Sequence, residues 1–264
     1  FFDKSKKLVI SMDTYVEGIH FLNFKKPDLV IKKIIRSSIS DIICKGVKPK
    51  YYFISGSGNK RSFSSTNLKK ISKSLKQEQD KYSIFLCGGD TVYSNKLSFT
   101  VTTVGFSQKI ILRNKAKLND DIYVTGNLGD SFAGLNILKK KISINNSLNK
   151  YFEGKYYLPD LHLKLSNKLL SFANTSIDIS DGLIADLEKL LNNQQFSYKL
   201  NLDSIPISKN LKKLIIQKKL DKTAYISQGD DYQILFTANS SKSRIINKTS
   251  KSLGIKISKI GKIC

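Results

Sequence analysis

The stretch that most constrains the fold is the hexapeptide Asp-Ile-Ser-Asp-Gly-Leu at 178–183. It comes directly before an apolar pattern at Leu183, Leu187, Leu190 and Leu191, a spacing that is typical of one face of an α-helix. The two carboxylates therefore lie on a turn that begins a helix. Ser and Asp at such a turn often only cap the helix by accepting its first amide protons. The same turn can also hold a divalent cation.

Three further aspartates occupy unusual positions. Asp13 ends an apolar run, Asp41 lies on the apolar stripe of a predicted helix over 28–44, and Asp90 follows two glycines after a predicted strand. A frayed helix end would explain Asp41 and an ordinary tight turn would explain Asp90. Mg²⁺, however, takes a few hard carboxylate oxygens that come from separate segments. The sequence therefore predicts one acidic cleft that holds metal ions.

The composition is that of a globular protein, with 264 residues, 40% hydrophobic and 25% charged. No apolar run approaches the length of a membrane span, and no basic-then-apolar leader opens the chain. The chain begins with Phe1, from which we expect a longer parent chain. Cys44, Cys87 and Cys264 lack metal-ligand spacing. Such cysteines are typical of reduced thiols, so we expect a cytoplasmic protein.

The formal charge of +24, from 45 Lys and Arg against 21 Asp and Glu, raises the possibility of nucleic-acid binding. The lysines are spread along nearly the whole chain, and no zinc-finger spacing or aromatic RNA-binding signature accompanies them. A basic nucleic-acid-binding module is therefore the minority alternative, and we expect no specific nucleic-acid partner.

Helical and strand patterns alternate and predict an α/β architecture with mixed sheets in two halves, 1–109 and 110–264. In the second half we expect a polar connection over 139–155, a helix over 159–172 and a strand over 224–227.

Seven short segments carry a wider resemblance. They are Ser-Met-Asp-Thr-Tyr-Val-Glu-Gly-Ile-His-Phe (11–21), Ser-Asp-Ile-Ile-Cys-Lys-Gly-Val-Lys-Pro (40–49), Gly-Gly-Asp-Thr (88–91), Arg113 with Ala116 and Asp120-Asp121, Val-Thr-Gly-Asn-Leu-Gly-Asp-Ser (124–131), the hexapeptide 178–183 and Gly-Asp-Asp-Tyr-Gln-Ile-Leu-Phe (229–236). Together and in this order they resemble the thiamine-monophosphate kinases of the aminoimidazole ribonucleotide synthetase superfamily. The match covers nearly the whole chain.

The resemblance implies a two-domain fold like that of aminoimidazole ribonucleotide synthetase. It also implies ATP-dependent phosphorylation of thiamine phosphate to thiamine diphosphate, with several Mg²⁺ ions. The half 1–109 would bind ATP and Mg²⁺ and pair with its copy in a homodimer, and 110–264 would form the C-terminal α/β domain. No membrane partner is implied.

The resemblance also assigns roles by matched position. Metal binding falls to Ser11, Met12, Asp13, Asp41, Asp90, Asp178 and Asp181. ATP binding falls to Gly89, Asp90, Arg113 and Ser180, and substrate binding falls to His20 and Asp230. His20 is equally well interpreted as a structural histidine beside apolar residues.

Two residues depart from the family pattern. Met12 stands where the family usually has threonine, so a contact there must use the backbone. Asp230 stands where the family usually has the longer glutamate. The resemblance also implies an acidic segment before residue 1 and an aromatic substrate contact after residue 264, both outside this sequence.

The chemistry of the implied reaction agrees with these residue types. A phosphate monoester has a second pKa of about 6, so the acceptor oxygen is already anionic at neutral pH. No catalytic general base is expected, and the chain has only 2 histidines. Metal ions held by carboxylates, with Arg113 as a phosphate donor, would instead offset the repulsion between two polyanions during direct in-line transfer.

Two other enzyme classes stay open on chemistry alone. A phosphatase would also use metals and aspartates. Another ATP-using enzyme of the superfamily, of the aminoimidazole ribonucleotide or selenophosphate synthetase type, would share the fold. The turn at 178–183 and His20 favour the kinase.

Overall fold

The computed structural model describes residues 7–264. It divides into two compact units. The first contains the described residues up to Ile43 together with Val47–Gln108, and the second contains Cys44–Gly46 with Lys109–Cys264. Each unit combines one β-sheet with helices. The α/β class predicted from the sequence is therefore confirmed.

The first unit is a four-stranded sheet with two long helices. Its elements are β1 (Lys7–Val16), α1 (Pro27–Cys44), β2 (Pro49–Gly58), α2 (Ser65–Tyr82), β3 (Phe85–Tyr93) and β4 (Ser98–Ser107). The strand order is β1-β4-β2-β3. Strand β4 runs antiparallel to both of its neighbours, whereas β2 and β3 are parallel, so the sheet is mixed.

Helices cover one face of this sheet. Ser38 of α1 and Thr103 of β4 share a hydrogen bond of 2.7 Å between their hydroxyls. Arg36 of α1 and Glu78 of α2 form a buried ion pair with two hydrogen bonds, of 2.8 and 3.0 Å. Side chains alternate between the faces of a strand, and this alternation decides which residues of β1 point toward the helices.

The segment Gly88-Gly89-Asp90-Thr91 does not close a strand, as its sequence suggested. Instead β3 continues through it, with Gly89 opposite Ile54 and Asp90 opposite Ser55 in the parallel pairing with β2. A β-carbon at Gly89 would lie 1.8 Å from the carbonyl oxygen of Ile54. Glycine at this position therefore permits a close approach of two strands rather than a turn.

The second unit is a five-stranded sheet surrounded by helices. Its strands are β5 (Asp121–Thr125), β6 (Thr175–Asp178), β7 (Tyr198–Leu200), β8 (Ile234–Ala238) and β9 (Ile257–Ile263). Its helices are α3 (Asp130–Leu138), α4 (Asn146–Tyr157), α5 (Ser166–Leu169), α6 (Leu183–Leu191), α7 (Lys209–Lys218), α8 (Lys222–Ile226) and α9 (Ser243–Leu253), with 3₁₀ turns at Leu163–Leu165, Leu202–Ser204 and Ser240–Lys242.

The strand order in this sheet is β6-β8-β5-β9-β7, with neighbours antiparallel. Strand β8 runs against both β5 and β6. The carboxyl ends of β5 and β6 and the start of β8 therefore lie at one edge of the sheet. Apolar residues of α6 and the central strands, including Leu187, Ile177 and Leu235, form the core behind this edge.

Three sequence predictions in this unit are wrong. The interval 139–155, expected to be a connection, contains most of α4, which begins where Asn145 accepts a hydrogen bond from the Leu148 amide. The helix expected over 159–172 is limited to a 3₁₀ turn and the short α5. The strand expected over 224–227 is instead part of α8, because Asp221 caps a helix there through the Thr223 amide.

No helix within residues 7–264 combines the length and the apolar character required to cross a membrane.

Candidate active site

The first unit brings two predicted site aspartates into contact. Asp13 of β1 and Asp41 of α1 hydrogen-bond to one another, and the Ser11 hydroxyl donates to Asp41 Oδ2 at 2.6 Å. Ser11 and Asp13 alternate with the exposed residues of β1, which places both on the face covered by α1. Asp41 is the acidic residue on the apolar stripe of α1. We call Asp13 and Asp41 the acidic pair.

The electrostatics of the acidic pair are unfavourable for two ionised carboxylates. The pKa of Asp13 is raised to about 7, first because burial penalises the charged form and second because the Asp41 carboxylate is adjacent. A hydrogen bond from Tyr15 acts in the opposite direction. The pair therefore retains a proton near neutral pH, and a bound cation could take the place of that proton.

Two other predicted ligands of the first unit lie on the opposite face of the sheet. The Met12 side chain is 68% exposed there. Asp90 is also exposed and accepts a hydrogen bond of 2.7 Å from the neighbouring Thr91 amide. By register and alternation, Asp90 shares this face with Ser55 and is separated from the acidic pair by the sheet itself. The structure therefore does not bring Asp90 or the Met12 side chain to the acidic pair.

His20 is held on an exposed loop after β1. Its Nδ1 accepts a hydrogen bond of 3.0 Å from the Val16 amide, and its ring meets Tyr15 edge-on at 6.0 Å. Because Nδ1 accepts, the neutral ring carries its proton on Nε2. The structural interpretation of His20 is thus supported, and Nε2 keeps a donor for a ligand.

In the second unit, the segment 178–182 forms the turn predicted from the sequence, and we call it the acidic turn. Asp178 ends β6 and is nearly buried, with the Cys44 thiol 4.0 Å from its Oδ1. Asp181 is exposed and forms an ion pair with Lys189. The N-cap position of α6 is Gly182, which supplies no capping side chain. Helix capping by Ser180 or Asp181 therefore does not explain the turn.

The residue that organises the acidic turn is Asp186, which the sequence analysis missed. Its Oδ2 accepts the backbone amides of Ser180, Asp181 and Gly182, at 2.8, 2.8 and 3.2 Å. Its Oδ1 lies 3.1 Å from Lys189 Nζ, and its side chain is fully buried. Asp186 falls on the apolar stripe of α6, between Leu183 and Leu187. The signal that singled out Asp41 could have found it too.

A second loop, 228–233, packs on the acidic turn. The Asp230 amide donates to the Ser180 carbonyl at 3.0 Å, and the Tyr232 amide donates to the Ile179 carbonyl at 2.8 Å. A β-carbon at Gly229 would lie 1.9 Å from the Ser180 carbonyl oxygen. Asp230 itself has a positive φ of 70°, which is uncommon outside glycine. The acidic turn and this loop are therefore joined through their backbones, and together they carry Asp178, Ser180, Asp181 and Asp230.

Arg113 is exposed and lies apart from that group. The next residue, Asn114, donates its amide to the Leu190 carbonyl at 3.1 Å, and Leu112 accepts a hydrogen bond from Thr175. Leu190 is seven residues beyond the start of α6, which is about 10 Å along the helix axis. The Arg113 backbone is therefore anchored near the far end of α6 and not beside Ser180.

Among residues 7–264, no three His, Cys, Asp or Glu side chains converge into a group that could hold a metal ion. Mg²⁺ usually binds through one or two carboxylates, water and substrate phosphates rather than through a complete protein cage. The acidic pair with Ser11, and the acidic turn with Asp178 and Asp181, each supply a donor set of that kind. Both therefore fit Mg²⁺ that is shared with bound phosphates.

Known proteins resemble this chain over nearly its whole length. The family model of the AIR synthase related protein, N-terminal domain, matches residues 1–107. The chain is 37% identical over 265 residues to the thiamine-monophosphate kinase of Buchnera aphidicola subsp. Schizaphis graminum (strain Sg), a match that covers 98% of this chain and 80% of that protein. The chain belongs to the thiamine-monophosphate kinase family. The resemblance stated from the seven segments is thus confirmed.

Two further known proteins are similar to this chain over nearly its whole length. The thiamine-monophosphate kinase of Haemophilus influenzae (strain ATCC 51907 / DSM 11121 / KW20 / Rd) is 32% identical over 259 residues, which is 97% of this chain and 78% of that protein. The solved structure of AaThiL complexed with AMPPCP and TMP has a TM-score of 0.90 at 27% identity and covers 100% of this chain and 82% of its own. The thiamine-monophosphate kinase fold therefore extends over both units.

Proposed function

We propose that this chain transfers a phosphoryl group from ATP to thiamine phosphate and so forms thiamine diphosphate. The observation that carries the proposal is the 37% identity, over 98% of the chain, to a thiamine-monophosphate kinase. The acidic turn and the acidic pair lie within the matched length. The relative solved with AMPPCP and TMP supports the same pair of substrates.

The acceptor determines what the protein must do. Its phosphate oxygen is already anionic at neutral pH, so the protein has to hold two polyanions in line rather than remove a proton. Mg²⁺, when bound, supplies positive charge between the phosphates. Asp178 and Asp181 would hold it in the second unit, and Asp13, Asp41 and Ser11 would hold it in the first. Met12 would contribute only its backbone, because its side chain points to the other face.

The remaining roles follow the family pattern and the local geometry. Gly89 and Asp90 on β3, with Arg113 and Ser180, are proposed to contact ATP. His20 Nε2 and the Asp230 carboxylate are proposed to contact thiamine phosphate. Asp230 suits a cationic ligand, and its position is fixed by the Ser180 carbonyl and by a hydrogen bond of 3.2 Å from the Tyr232 hydroxyl.

We propose that two copies of the chain pair through the first unit, using the face of its sheet that the helices do not cover. Large apolar side chains on that face are exposed, among them Ile10 at 56%, Met12 at 68% and Phe53 at 43%. A contiguous apolar patch of this kind is typical of a protein interface. Asp90 lies on the same face, so a second copy would approach it. The chain is further proposed to be cytoplasmic, which suits three free cysteines.

The function is tested by measuring thiamine diphosphate formed from ATP and thiamine phosphate, with Mg²⁺, by wild type, Asp178→Asn and Asp181→Asn. We expect both variants to fold and to lose most activity, because each loses a ligand charge without emptying a core. Asp203→Asn, on an exposed 3₁₀ turn, is the matched control and should retain full activity. Wild-type activity in both acidic-turn variants would refute their role.

A further inference from the structure

A groove opens on the second unit between helix α7 and the segment 203–207 that leads into it. Its volume is about 520 Å³, and residues at the start of α8 and β9 complete its walls. Volumes of roughly 300–1,000 Å³ are usual for sites that bind small organic molecules. We call this depression the α7 groove.

The floor of the α7 groove is apolar. Ile205 is buried in the main core of the second unit, while Ile207 and Ile215 are half-buried beside it. Ile216 also lines the groove and is 69% exposed. Covering apolar surface is favourable, by roughly 25 cal/mol per Å². The floor therefore favours a ligand that has an apolar body.

The α7 groove is also lined by four charged side chains, those of Lys212, Lys222, Lys256 and Asp203. Three lysines against one aspartate leave an excess of positive charge. Among residues 7–264, none of these lysines forms an ion pair. Lys256 Nζ donates to Asn127 Oδ1 at 3.0 Å and, as an ammonium with three donors, can still bind an anion. The charge of the groove therefore favours an anionic ligand.

A second recess adjoins the α7 groove and shares Ile207 and Lys256 with it. Its volume is about 470 Å³, and its remaining walls are mostly polar, with Ser208, Lys209 and Asn210 among them. The lining therefore changes from isoleucines to lysines, hydroxyls and amides along one depression. A ligand with an apolar body and one anionic end would match this change.

The walls of the α7 groove are fixed without a ligand. The Pro206 carbonyl accepts the Leu128 amide at 2.9 Å, which anchors the segment before α7. The Lys222 ammonium donates to the Leu202 carbonyl on the other side. A ligand would therefore pay little to order the protein, which raises the affinity that a given contact area can provide.

The α7 groove is separate from the candidate active site. None of its lining residues belongs to the acidic pair, the acidic turn or the loop 228–233. The strand that contributes to it, β9, lies three places from β6 in the sheet order β6-β8-β5-β9-β7. Neighbouring strands are about 4.8 Å apart, so the acidic turn at the end of β6 is about 14 Å away across the sheet.

We propose that the α7 groove is a binding site for a small organic anion that has an apolar body and one phosphate or carboxylate group. Ile207, Ile215 and Ile216 pack against the body, and Lys212 and Lys256 bind the anionic group. This site takes neither ATP nor thiamine phosphate, and it does not depend on the function proposed above.

The test uses calorimetry on the full chain with three probes. Naphthyl phosphate has both an apolar body and an anion, naphthol has only the body, and inorganic phosphate has only the anion. Saturating AMPPCP and thiamine phosphate are present throughout to occupy the candidate active site. We expect naphthyl phosphate to bind about tenfold more tightly than either partial probe. Absence of binding, or equal binding of inorganic phosphate, would overturn the proposal.

Two variants with matched controls locate the bound probe. Lys212→Met and Ile216→Ser change exposed side chains of the groove and should each weaken naphthyl phosphate binding about fivefold. Lys213→Met changes the next lysine of α7, and Ile245→Ser changes an exposed isoleucine of α9, both outside the groove lining. Both controls should bind the probe as wild type does. Equal weakening in Lys213→Met would mean that diffuse positive charge binds the probe, and the proposal would fail.

A change of opposite sign completes the test. Asp203→Asn removes the acidic side chain from the groove lining, so it should tighten naphthyl phosphate binding about twofold. All of these variants should form thiamine diphosphate at the wild-type rate, which separates this site from the proposed activity. Weaker probe binding in Asp203→Asn would contradict the assignment of the anion to this groove.

Discussion

The acidic pair of the first unit and the acidic turn of the second differ in what stabilises their carboxylates. Asp13 lies beside Asp41 and gains favourable interaction from Tyr15, yet burial and the neighbouring carboxylate still raise its pKa to about 7. The acidic turn is held by Asp186 through three backbone amides, and Lys189 pairs with both Asp181 and Asp186.

If both places bind Mg²⁺ as proposed, this difference predicts two modes of cation binding. The acidic turn has its shape without a ligand, so a cation would meet a preformed site there. The acidic pair instead holds a proton that a cation would have to displace, and we expect the affinity of the pair for a cation to depend on pH.

The largest effect is expected for Asp186→Asn. The neutral amide oxygen is a weaker acceptor for the three backbone amides, and the NH2 group would replace the Oδ1 that faces Lys189, so the turn should lose its fixed shape. We expect activity to fall about 10- to 100-fold, the range for residues that orient metal ligands. The measurement is kcat and the Mg²⁺ concentration for half-maximal activity, with circular dichroism to confirm folding.

Asp186→Glu is the conservative control, since it keeps the charge and should recover part of the activity. Rescue by Glu but not by Asn would show that the carboxylate orients the turn. Full activity in Asp186→Asn would mean that the turn does not depend on this residue, and the comparison between the two units would fail.

The second prediction concerns pH. The folded pKa of Asp13 is raised from 3.8 to about 7, so its contribution to stability is complete at low pH and is lost as pH rises through that window. At about pH 8 the free energy of unfolding of Asp13→Asn should therefore exceed that of wild type by about 1 kcal/mol. This value allows for solvent screening of a half-buried group. At about pH 4 the two proteins should have similar stability.

Chemical denaturation at several pH values, with and without Mg²⁺, measures this effect. Mg²⁺ at about pH 8 should stabilise wild type more than Asp13→Asn. The free energy of unfolding of wild type should fall, relative to that of Asp13→Asn, as the pH rises from about 4 to about 7. If it does not fall, the acidic pair carries no shared proton.

The smallest effect is expected for Lys189→Met. Its ion pair with Asp181 is exposed and is worth little. Without its pairing to Lys189, Asp186 still accepts the three backbone amides of the acidic turn. Because the ammonium competes with a cation for Asp181, we expect the Mg²⁺ concentration for half-maximal activity to fall about two- to fivefold. A rise in that concentration would show that Lys189 holds Asp181 in position rather than competing.

The fold class and most elements of the first unit follow from periodicity in the sequence. The course of β3 could not be predicted in this way, because Gly88-Gly89 has the composition of a turn. Only the pairing of Gly89 with Ile54 shows that this segment is a strand. Helices α4 and α8 were missed for a related reason. Their caps, Asn145 and Asp221, are single residues whose hydrogen bonds outweigh a polar or β-branched composition.

The candidate site could be predicted only in part from the sequence. The structure brings Asp41 to Asp13 and places Asp178 and Asp181 on the turn before α6, as the helical stripe and the spacing suggested. That Asp90 and Asp13 lie on opposite faces depends on strand register, which the sequence does not specify. Asp186 lies on the apolar stripe of its helix, as Asp41 does. Its role, however, depends on backbone amides that the folded turn places around its carboxylate.

We propose that these acidic groups serve phosphoryl transfer to a phosphate acceptor and not hydrolysis. The most direct measurement is the ratio of thiamine diphosphate formed to ATP consumed, with Mg²⁺ and thiamine phosphate present. We predict one thiamine diphosphate for each ATP, and little ATP consumption when thiamine phosphate is omitted. ATP consumption that is equally fast without the acceptor, and that forms free phosphate instead of thiamine diphosphate, would contradict the claim.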